Sequence, residues 1–421
     1  MGLLLTAYCL LLTAYRLLPP GGSYMAEIVI KPRIRGFICT TSHPDGCAAN
    51  VKEQLQIAWT ARNTKPDTYR VLVIGSSTGY GLASRIAAAS LYDADTIGVF
   101  YERVGEGKKS GTPGYYNTAA FHAYAKNKGL TSININGDAF SHEIKQQTID
   151  QIKAHMEQVD LVIYSLASPR RIDPETGEEY RSDIRSIGDV YVGKTIDLTK
   201  EFITEVTVEP ATEEGIRGTV AVMGGDDLNL WTDALLNAGV LAEGARVVPF
   251  SYIGPEVTYP IYRNGTIGRA KEHLEATTAA IHLRLQSKID GAAYISVNKA
   301  VITQASAAIP VVPLYISLLY KLMKERNVHE APIHQMVRLL TDHIGPGQTP
   351  ALDEKGRIRL DDREMVDAIQ NEIDRLWPMV NTDNFRSLSD YDAYKKGFRQ
   401  LFGFEVDGID YDKPVELETE V

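Results

Sequence analysis

A doubly wound parallel α/β sheet of the Rossmann type is predicted for this chain, and three features of the sequence predict it. Apolar, β-forming runs alternate with helix-forming runs from residue 71 to 169. The first apolar run, Val71 to Ile74, ends in glycines at 75, 79 and 81 and opens directly into the helix formers LASRIAAAS. The later runs end in acidic or small residues, Glu102, Gly137-Asp138 and Leu166-Ala167, at the strand ends where such a sheet collects ligands.

In chain order, residues 1–24 contain LLLTAY twice, at 3–8 and 10–15. The apolar run is too short to span a bilayer, and it shows neither the basic start nor the small-residue cleavage site of a signal peptide clearly, so a targeting segment stands as the alternative reading. It is read as a disordered extension ahead of a folded region that starts near Met25. EIVIKPRIRGFI (27–38) alternates like an edge strand or hairpin arm. A turn-rich loop at 39–47 and an amphipathic helix at 48–62 follow, and residues 63–69 link them to the first central strand.

The loop Gly75, Ser76, Ser77, Thr78, Gly79, Tyr80, Gly81 sets bare N–H groups at a helix N-terminus. Helix dipole and unpaired donors both favour anionic oxygens there, so the loop suits a dinucleotide pyrophosphate. Glycine is needed where a side chain would block the phosphate. The plain alternative is a tight turn with glycines for packing. The spacing G-x-x-x-G-x-G resembles that of short-chain dehydrogenases.

DADTIGVFYE reads as a second strand ending at Tyr101 and Glu102. An acidic residue there accepts hydrogen bonds from ribose hydroxyls and repels the extra phosphate of NADP, which favours NADH. Arg103 beside it works against that preference. Residues 104–117 are predicted as a flexible Gly/Lys loop and 118–129 as a helix. TSININ is the third strand, and Asp138 and Ala139 follow where the adenine would lie. A helix at about 141–157 leads to the fourth strand (160–169), whose small residues Leu166, Ala167 and Ser168 would let a nicotinamide riboside approach.

Residues 170–200 read as a polar excursion with short strands. TVAVMGG (219–225) is predicted as a fifth strand with a glycine stop, and 227–241 as its helix. ARVVPFSYIG (245–254) is a further strand with Tyr252 at its end. Asn264-Gly265 signals a turn, with Thr266 capping a helix whose buried face is Ile267, Ala270, Leu274, Thr277, Ile281 and Leu285. AAYISVNKAVITQAS (292–306) reads as the last parallel strand and 309–325 as an apolar helix beside it. The remaining stretch is helical and acidic, with a hairpin at 352–362. No repeat or low-complexity linker interrupts it, so 25–421 is read as one elaborated domain with its Rossmann core at about 70–330.

The 421 residues carry a formal net charge of −10, which argues against nonspecific binding to nucleic acid or anionic membranes. Three cysteines, Cys9, Cys39 and Cys47, give no disulfide framework and fit a reducing, cytoplasmic setting. His329-Glu330 and His334 miss the metalloprotease spacing, with Pro332 between them, and are read as surface or packing residues. No metal site is expected.

A reductase of this fold needs an acid and a cation near the nicotinamide. The Tyr-x-x-x-Lys pair of short-chain reductases is not found after the fourth or fifth strand. Tyr262 and Lys271 are separated by eight residues, the phenol ahead of the helix and the amine within its early turns. A free phenol has a pKa near 10, so a nearby ammonium would make it a better donor at neutral pH. With 22 tyrosines in the chain, such a spacing also arises by chance.

VLVIGSSTGYGLASRI, NGDAFSHE, VIYSLASPRR, SYIGPEVTYPIYRNGTIGRAK and VITQASAAIPVVPLYIS together closely resemble the FabV-type trans-2-enoyl reductases. The resemblance runs from about Ile28 to the C-terminus. It implies an NADH-dependent reductase of enoyl-CoA or enoyl-acyl-carrier-protein in fatty acid biosynthesis, with a Tyr-x8-Lys pair. It implies that Tyr262 donates the proton, Tyr252 contacts substrate and Lys271 contacts the cofactor. It places further NAD contacts on Gly75, Ser76, Ser77, Thr78, Gly79, Tyr80, Tyr101, Glu102, Asp138, Ala139, Leu166, Ala167, Val301, Ile302 and Thr303. Tyr259 stands where the family pattern has tryptophan, and one extra residue lies between Lys271 and Val301.

Conjugate reduction would place negative charge on the thioester oxygen, and Tyr262, with Tyr252, would face it. Ile309–Leu322 is either a wall for the acyl chain or an ordinary core helix. Lys108-Lys109 and Arg170-Arg171 suit either anionic acyl carrier. The chain is expected to act as a monomer with no stable membrane anchor. The competing readings are a short-chain carbonyl or alcohol dehydrogenase and a non-catalytic NAD-sensing protein.

Overall fold

The computed structural model describes residues 28–62, 68–166, 168–419 and 421. A short antiparallel hairpin, β1 (Ile34–Arg35) and β2 (Ile38–Cys39), precedes the helix Pro44–Thr60. The central strands follow with their helices: β3 (Arg70–Ile74), helix Gly79–Tyr92, β4 (Asp95–Phe100), helix Pro113–Asn127, β5 (Ser132–Asn136), helix His142–His155 and β6 (Val159–Tyr164). Two antiparallel hairpins come next, β7 (Arg170–Ile172) with β8 (Glu179–Arg181), and β9 (Tyr191–Asp197) with β10 (Phe202–Val208). Helices Glu213–Met223 and Asp226–Asn237 lead to the long strand β11 (Leu241–Ser251). Helix Thr266–Ile289, β12 (Ala292–Ala293), β13 (Ser296–Val297), helices Gln304–Ala308, Val312–Glu325 and Pro332–Arg338, and β14 (Ile358–Arg359) complete the α/β part.

The sheet runs β14-β13-β11-β6-β3-β4-β5, with β12 also on β11, and every pairing in it is parallel. Chain order reverses between β3 and β6, the switch point at which such sheets bind ligands beyond their carboxyl ends. Ile74 pairs with both Val99 and Tyr164, so Gly75, Phe100 and Ser165 emerge side by side, with Tyr101 one residue beyond.

Alternation along the strands builds a core on each face of the sheet. Val71 and Val73 pack with Ala83, Ile86, Ala87, Ile333 and Met336 on one side. Leu72 and Ile74 pack with Ile149, Ile152, Trp231, Leu274 and Ile281 on the other. A third cluster joins the helix Val312–Glu325 to Ile369, Ile373, Phe385, Tyr391 and Phe398 of the C-terminal helices. Each fully buried side chain of this kind contributes about 1.5–3 kcal/mol before entropy is counted.

Several expectations change. Residues 113–117 are the start of a helix, because Pro113 sits at a first-turn position where its missing N–H costs nothing. TVAVMGG is not a strand: Thr219 to Met223 end the helix Glu213–Met223, which starts on the Thr212 cap with two acidic residues in its first turn. The 292–306 strand is broken into β12, β13 and a helix capped by Thr303. No hairpin forms at 352–362; β14 instead adds to the sheet edge, parallel to β13. Of the alternating run 27–38, Ile28 bridges to Val415 and only the β1–β2 arms pair locally. Gly265, not Thr266, is the cap of the helix Thr266–Ile289, and Thr266 Oγ1 donates to the Asp183 carbonyl at 2.6 Å. Its buried face is as predicted except that Thr278 replaces Thr277. The extension 1–24 and most of the 63–69 link lie outside the described residues. Cys39 and Cys47 are free thiols. Among the described residues, no helix is long and apolar enough to cross a membrane.

Candidate active site

The turn after β3 is shaped by glycines that nothing else would fit. Gly75 has φ +86°, and a Cβ there would lie 2.3 Å from the Ser165 carbonyl oxygen. A Cβ on Gly81 would lie 1.9 Å from the Gly75 carbonyl oxygen. The turn therefore passes flush against the end of β6. Thr78 caps the helix Gly79–Tyr92 with its backbone only, and no side chain occupies the first-turn N–H groups. That leaves donors and the positive end of a helix dipole for an anionic group. Ser76 is buried, its Oγ donating to the Val99 carbonyl at 3.3 Å. The Tyr80 hydroxyl lies 2.7 Å from the Lys299 carbonyl and 3.0 Å from Gln335 Oε1, which ties the loop to the far side of the cleft.

Beyond β4, Ser77 Oγ donates to Glu102 Oε1 at 2.6 Å, and Asn136 Oδ1 accepts from the Glu102 N–H at 2.9 Å. Gly114 is required beside them, since a Cβ there would sit 2.0 Å from Glu102 Oε1. Tyr101 is 77 % exposed and points away from this packing. Asp138 accepts from the Phe140 N–H at 3.0 Å and shapes the turn after β5. The carbonyls of Ala139 and Phe140 receive the buried Lys145 ammonium at 3.0 and 2.8 Å, and Trp231 Nε1 donates to the Ala139 carbonyl at 3.0 Å. Lys145 also meets Asp227 at 2.7 Å, and Tyr164 donates to the second Asp227 oxygen at 2.9 Å. Burial pushes Asp227 up and Lys145 down, against their mutual attraction. The pair thus links the end of β6 to the turn after β5.

A cavity of about 240 Å³ opens beside the glycine turn. Tyr80, Leu166, Phe250, Tyr252, Tyr262, Lys271, Val301 and Thr303 all line it, as do Met223, Ile309, Val312 and Ile316. Tyr252 leaves the end of β11, and Tyr262 sits in the turns just before the helix that carries Lys271. The two tyrosine rings meet edge to face with centroids 4.9 Å apart. Burial raises the pKa of both phenols. Lys271 Nζ donates to the Phe250 carbonyl at 3.2 Å, and desolvation pushes its pKa down to about 8. Tyr262 and Lys271 thus share one cavity with Tyr80 of the turn after β3.

Ile302 departs from its neighbours: its side chain turns into the core toward Gly397, while its N–H donates to Tyr320 Oη at 3.2 Å. Ala167 lies outside the described residues. His329 is a packing residue against Tyr320, pushed down to about 3 by burial, and His334 Nδ1 accepts from the Ala331 N–H. Sequence reasoning missed Ser165, Asn298, Lys299 and Ser306 on the cavity wall and Glu364 behind it. Glu364 sits in the acidic run DDRE, which reads as a solvated surface when no partner is known.

Residues 109–344 match a family model described as the trans-2-enoyl-CoA reductase catalytic region, and 29–107 one described as the NAD(P)H binding domain of trans-2-enoyl-CoA reductase. The chain is 54% identical over 395 residues to an enoyl-[acyl-carrier-protein] reductase [NADH] of Coxiella burnetii, covering 94% of this chain and 97% of that one. It is 50% identical to a trans-2-enoyl-CoA reductase [NADH] of Ruminiclostridium cellulolyticum, over 94% and 99%. The crystal structure of Treponema denticola trans-2-enoyl-CoA reductase in complex with NAD superposes with a TM-score of 0.89 at 43% identity, over 94% and 100% of the two chains.

Residues 352–415 match a third model, described as an enoyl reductase FAD binding domain. The residues there do not fit a flavin. Of the four glycines in this segment, Gly397 packs against Ile302 and Gly403 against His43 and Cys47, while Gly356 and Gly408 are open turns. Its one described strand, β14, is two residues long and is not followed by a glycine turn into a helix. What the segment brings is Glu364, which stands behind the cavity wall and accepts from the Tyr252 hydroxyl.

Proposed function

The chain belongs to the trans-2-enoyl-CoA reductase family, and from that premise we propose that it reduces the trans-2 double bond of an enoyl thioester with NADH. Tyr262 and Lys271 lining the same cavity as Tyr80 of the glycine turn is the observation that carries the reading. The turn from Gly75 to Tyr80, with Glu102, Asp138, Ala139, Leu166, Val301 and Thr303, would hold the cofactor. Ser77 and Glu102 would take the adenosine ribose, and the free first-turn N–H groups the pyrophosphate. Bound NADH supplies the hydride that adds to the substrate's β-carbon.

The electron pair of the double bond then moves onto the thioester oxygen as an enolate. Tyr262 is placed to hydrogen-bond that oxygen as its charge develops and to deliver a proton toward the α-carbon, directly or through water. Its hydroxyl makes no hydrogen bond to another described residue, so it is free to turn to substrate. Lys271 would leave the Phe250 carbonyl to hold the nicotinamide ribose, and its charge would lower the cost of negative charge on Tyr262. The apolar wall of Ile309, Val312 and Ile316 suits an acyl chain.

The chain is read as acting in the cytoplasm, as a monomer and in fatty acid synthesis. Residues 25–421 are read as one elaborated domain, a reading supported by β14 pairing at the sheet edge and by Glu364 accepting from Tyr252 of the cavity wall. The test is loss of NADH absorbance with crotonyl-CoA, the matched crotonyl carrier protein and a panel of ketones. Turnover of the enoyl thioesters alone is expected, and their relative rates identify the carrier. Turnover of ketones alone would overturn the reading, as would NADH binding with no turnover of any substrate.

A further inference from the structure

Glu364 is fully buried and none of the roles above uses it. Its Oε1 accepts from the Tyr252 hydroxyl at 3.0 Å and from the Tyr315 hydroxyl at 2.5 Å. Its Oε2 accepts from the Ala300 N–H at 2.6 Å. Gln370 Nε2 donates to the Glu364 carbonyl at 2.6 Å and lies 3.3 Å from Tyr315 Oη, so the backbone at 364 is held as well. Lys299, equally buried, supplies nearby positive charge; its Nζ donates to the Ala300 carbonyl at 2.8 Å and lies 4.5 Å over the Tyr320 ring. A buried carboxylate is costly; here three hydrogen bonds and the nearby Lys299 charge, rather than a direct ion pair, offset that cost.

Two cavity-lining elements therefore converge on one carboxylate. One is Tyr252, which in turn sets the edge-to-face angle of Tyr262. The other is the backbone at Ala300, from which Val301 and Thr303 continue along the wall. We propose that Glu364 is a positioning residue for the enoyl reduction, holding the Tyr252 phenol by its hydrogen and so fixing the ring against which Tyr262 acts. The inference rests on the enoyl-reductase reading. With its hydrogen given to Glu364, Tyr252 acts as an oriented wall, and donation to the thioester oxygen falls to Tyr262.

A double-mutant cycle on the full chain tests this, using Tyr252→Phe, Glu364→Gln and their combination, assayed with NADH and crotonyl-CoA. In Glu364→Gln the amide oxygen must face the Ala300 N–H, so the NH₂ group faces Tyr252 and reverses that bond. We expect kcat to fall about tenfold in Glu364→Gln while the KM for NADH stays within about twofold, since misplacement by a fraction of an ångström is costly to chemistry. Adding Glu364→Gln to Tyr252→Phe is expected to cost nothing more in kcat. Losses that multiply in the double variant would overturn the proposal, as would an NADH KM that rises as much as kcat falls. If Glu364→Gln does not fold, Tyr315→Phe decides: it removes the other phenol and leaves the Tyr252 bond. A kcat near wild type supports the proposal, and a loss equal to that of Tyr252→Phe overturns it. Wild-type turnover of crotonyl-CoA in the same assay separates failure of this proposal from failure of the functional reading.

Discussion

Tyr252 and Tyr262 meet edge to face at 4.9 Å, yet only Tyr252 has its hydroxyl bound to another described residue, Glu364. One phenol is fixed and its neighbour is free. Edge-to-face aromatic pairs contribute about 0.5–1.5 kcal/mol beyond their buried area, enough to favour one ring orientation. The free hydroxyl is therefore presented at a set angle without being consumed by a bond to the protein.

Tyr262→Phe keeps that ring contact and removes only the hydroxyl. Turnover is expected to fall by about 10²–10⁴-fold, the range for a lost general acid, with the Kd for NADH unchanged. Stopped-flow turnover and NADH fluorescence titration measure the two quantities. Turnover at the wild-type rate would sink the assignment of the proton donor.

Lys271 is pushed down to about 8 by burial, so its ammonium is present below that pH and lost above it. If the charged form holds the cofactor, kcat/KM for NADH falls as pH rises through about 8. Lys271→Arg, which stays protonated, should move the descending limb to higher pH. Lys271→Met should weaken NADH binding and abolish the limb. A limb that stays in place in Lys271→Arg would assign it to another group.

Glu102 is held by Ser77 at 2.6 Å, so its charge sits at a defined point beside the glycine turn. Glu102→Gln keeps a partner for Ser77 and removes the repulsion of a 2′-phosphate. The ratio of kcat/KM values for NADPH over NADH should rise about tenfold, equivalent to ~1.4 kcal/mol. An unchanged ratio would show that Glu102 does not set the preference.

Asp227→Ala leaves the Lys145 ammonium buried without its carboxylate and the Tyr164 hydroxyl without its acceptor. Breaking a buried pair in this way costs about 3–5 kcal/mol. A lower Tm is expected together with weaker NADH binding, because Lys145 also holds the carbonyls of Ala139 and Phe140. Weakened stability with an unaltered NADH Kd would detach this network from the cofactor site.

The parallel sheet was legible because its signals are local: Val71–Ile74 is followed by Gly75 and Gly81, at both of which the fold lacks space for a Cβ. The Tyr262 and Lys271 pair was noted by its spacing and singled out only by the family resemblance; it shares a cavity because both sit around one helix start. Thr219 to Met223 misled, since apolar β-branched residues suit a helix once Thr212 and two glutamates start it. The stretch 292–306 was read as continuous because periodicity does not show where Thr303 turns the chain into a cap. Glu364 was invisible for another reason. A glutamate in DDRE has no local mark of burial; its partners lie 49, 64 and 112 residues away in the chain.

β14 joins the sheet at its far edge, and Glu364 follows five residues after Arg359. During synthesis from the N-terminus, β3 to β6 emerge early and have their own neighbours to pair with. The tyrosine cavity has no such independence, because the acceptor for Tyr252 leaves the ribosome only after more than four-fifths of the chain has been made. A nascent chain halted near residue 345 is thus expected to have a formed nucleotide turn but an unanchored Tyr252, so cofactor binding would mature before chemistry does.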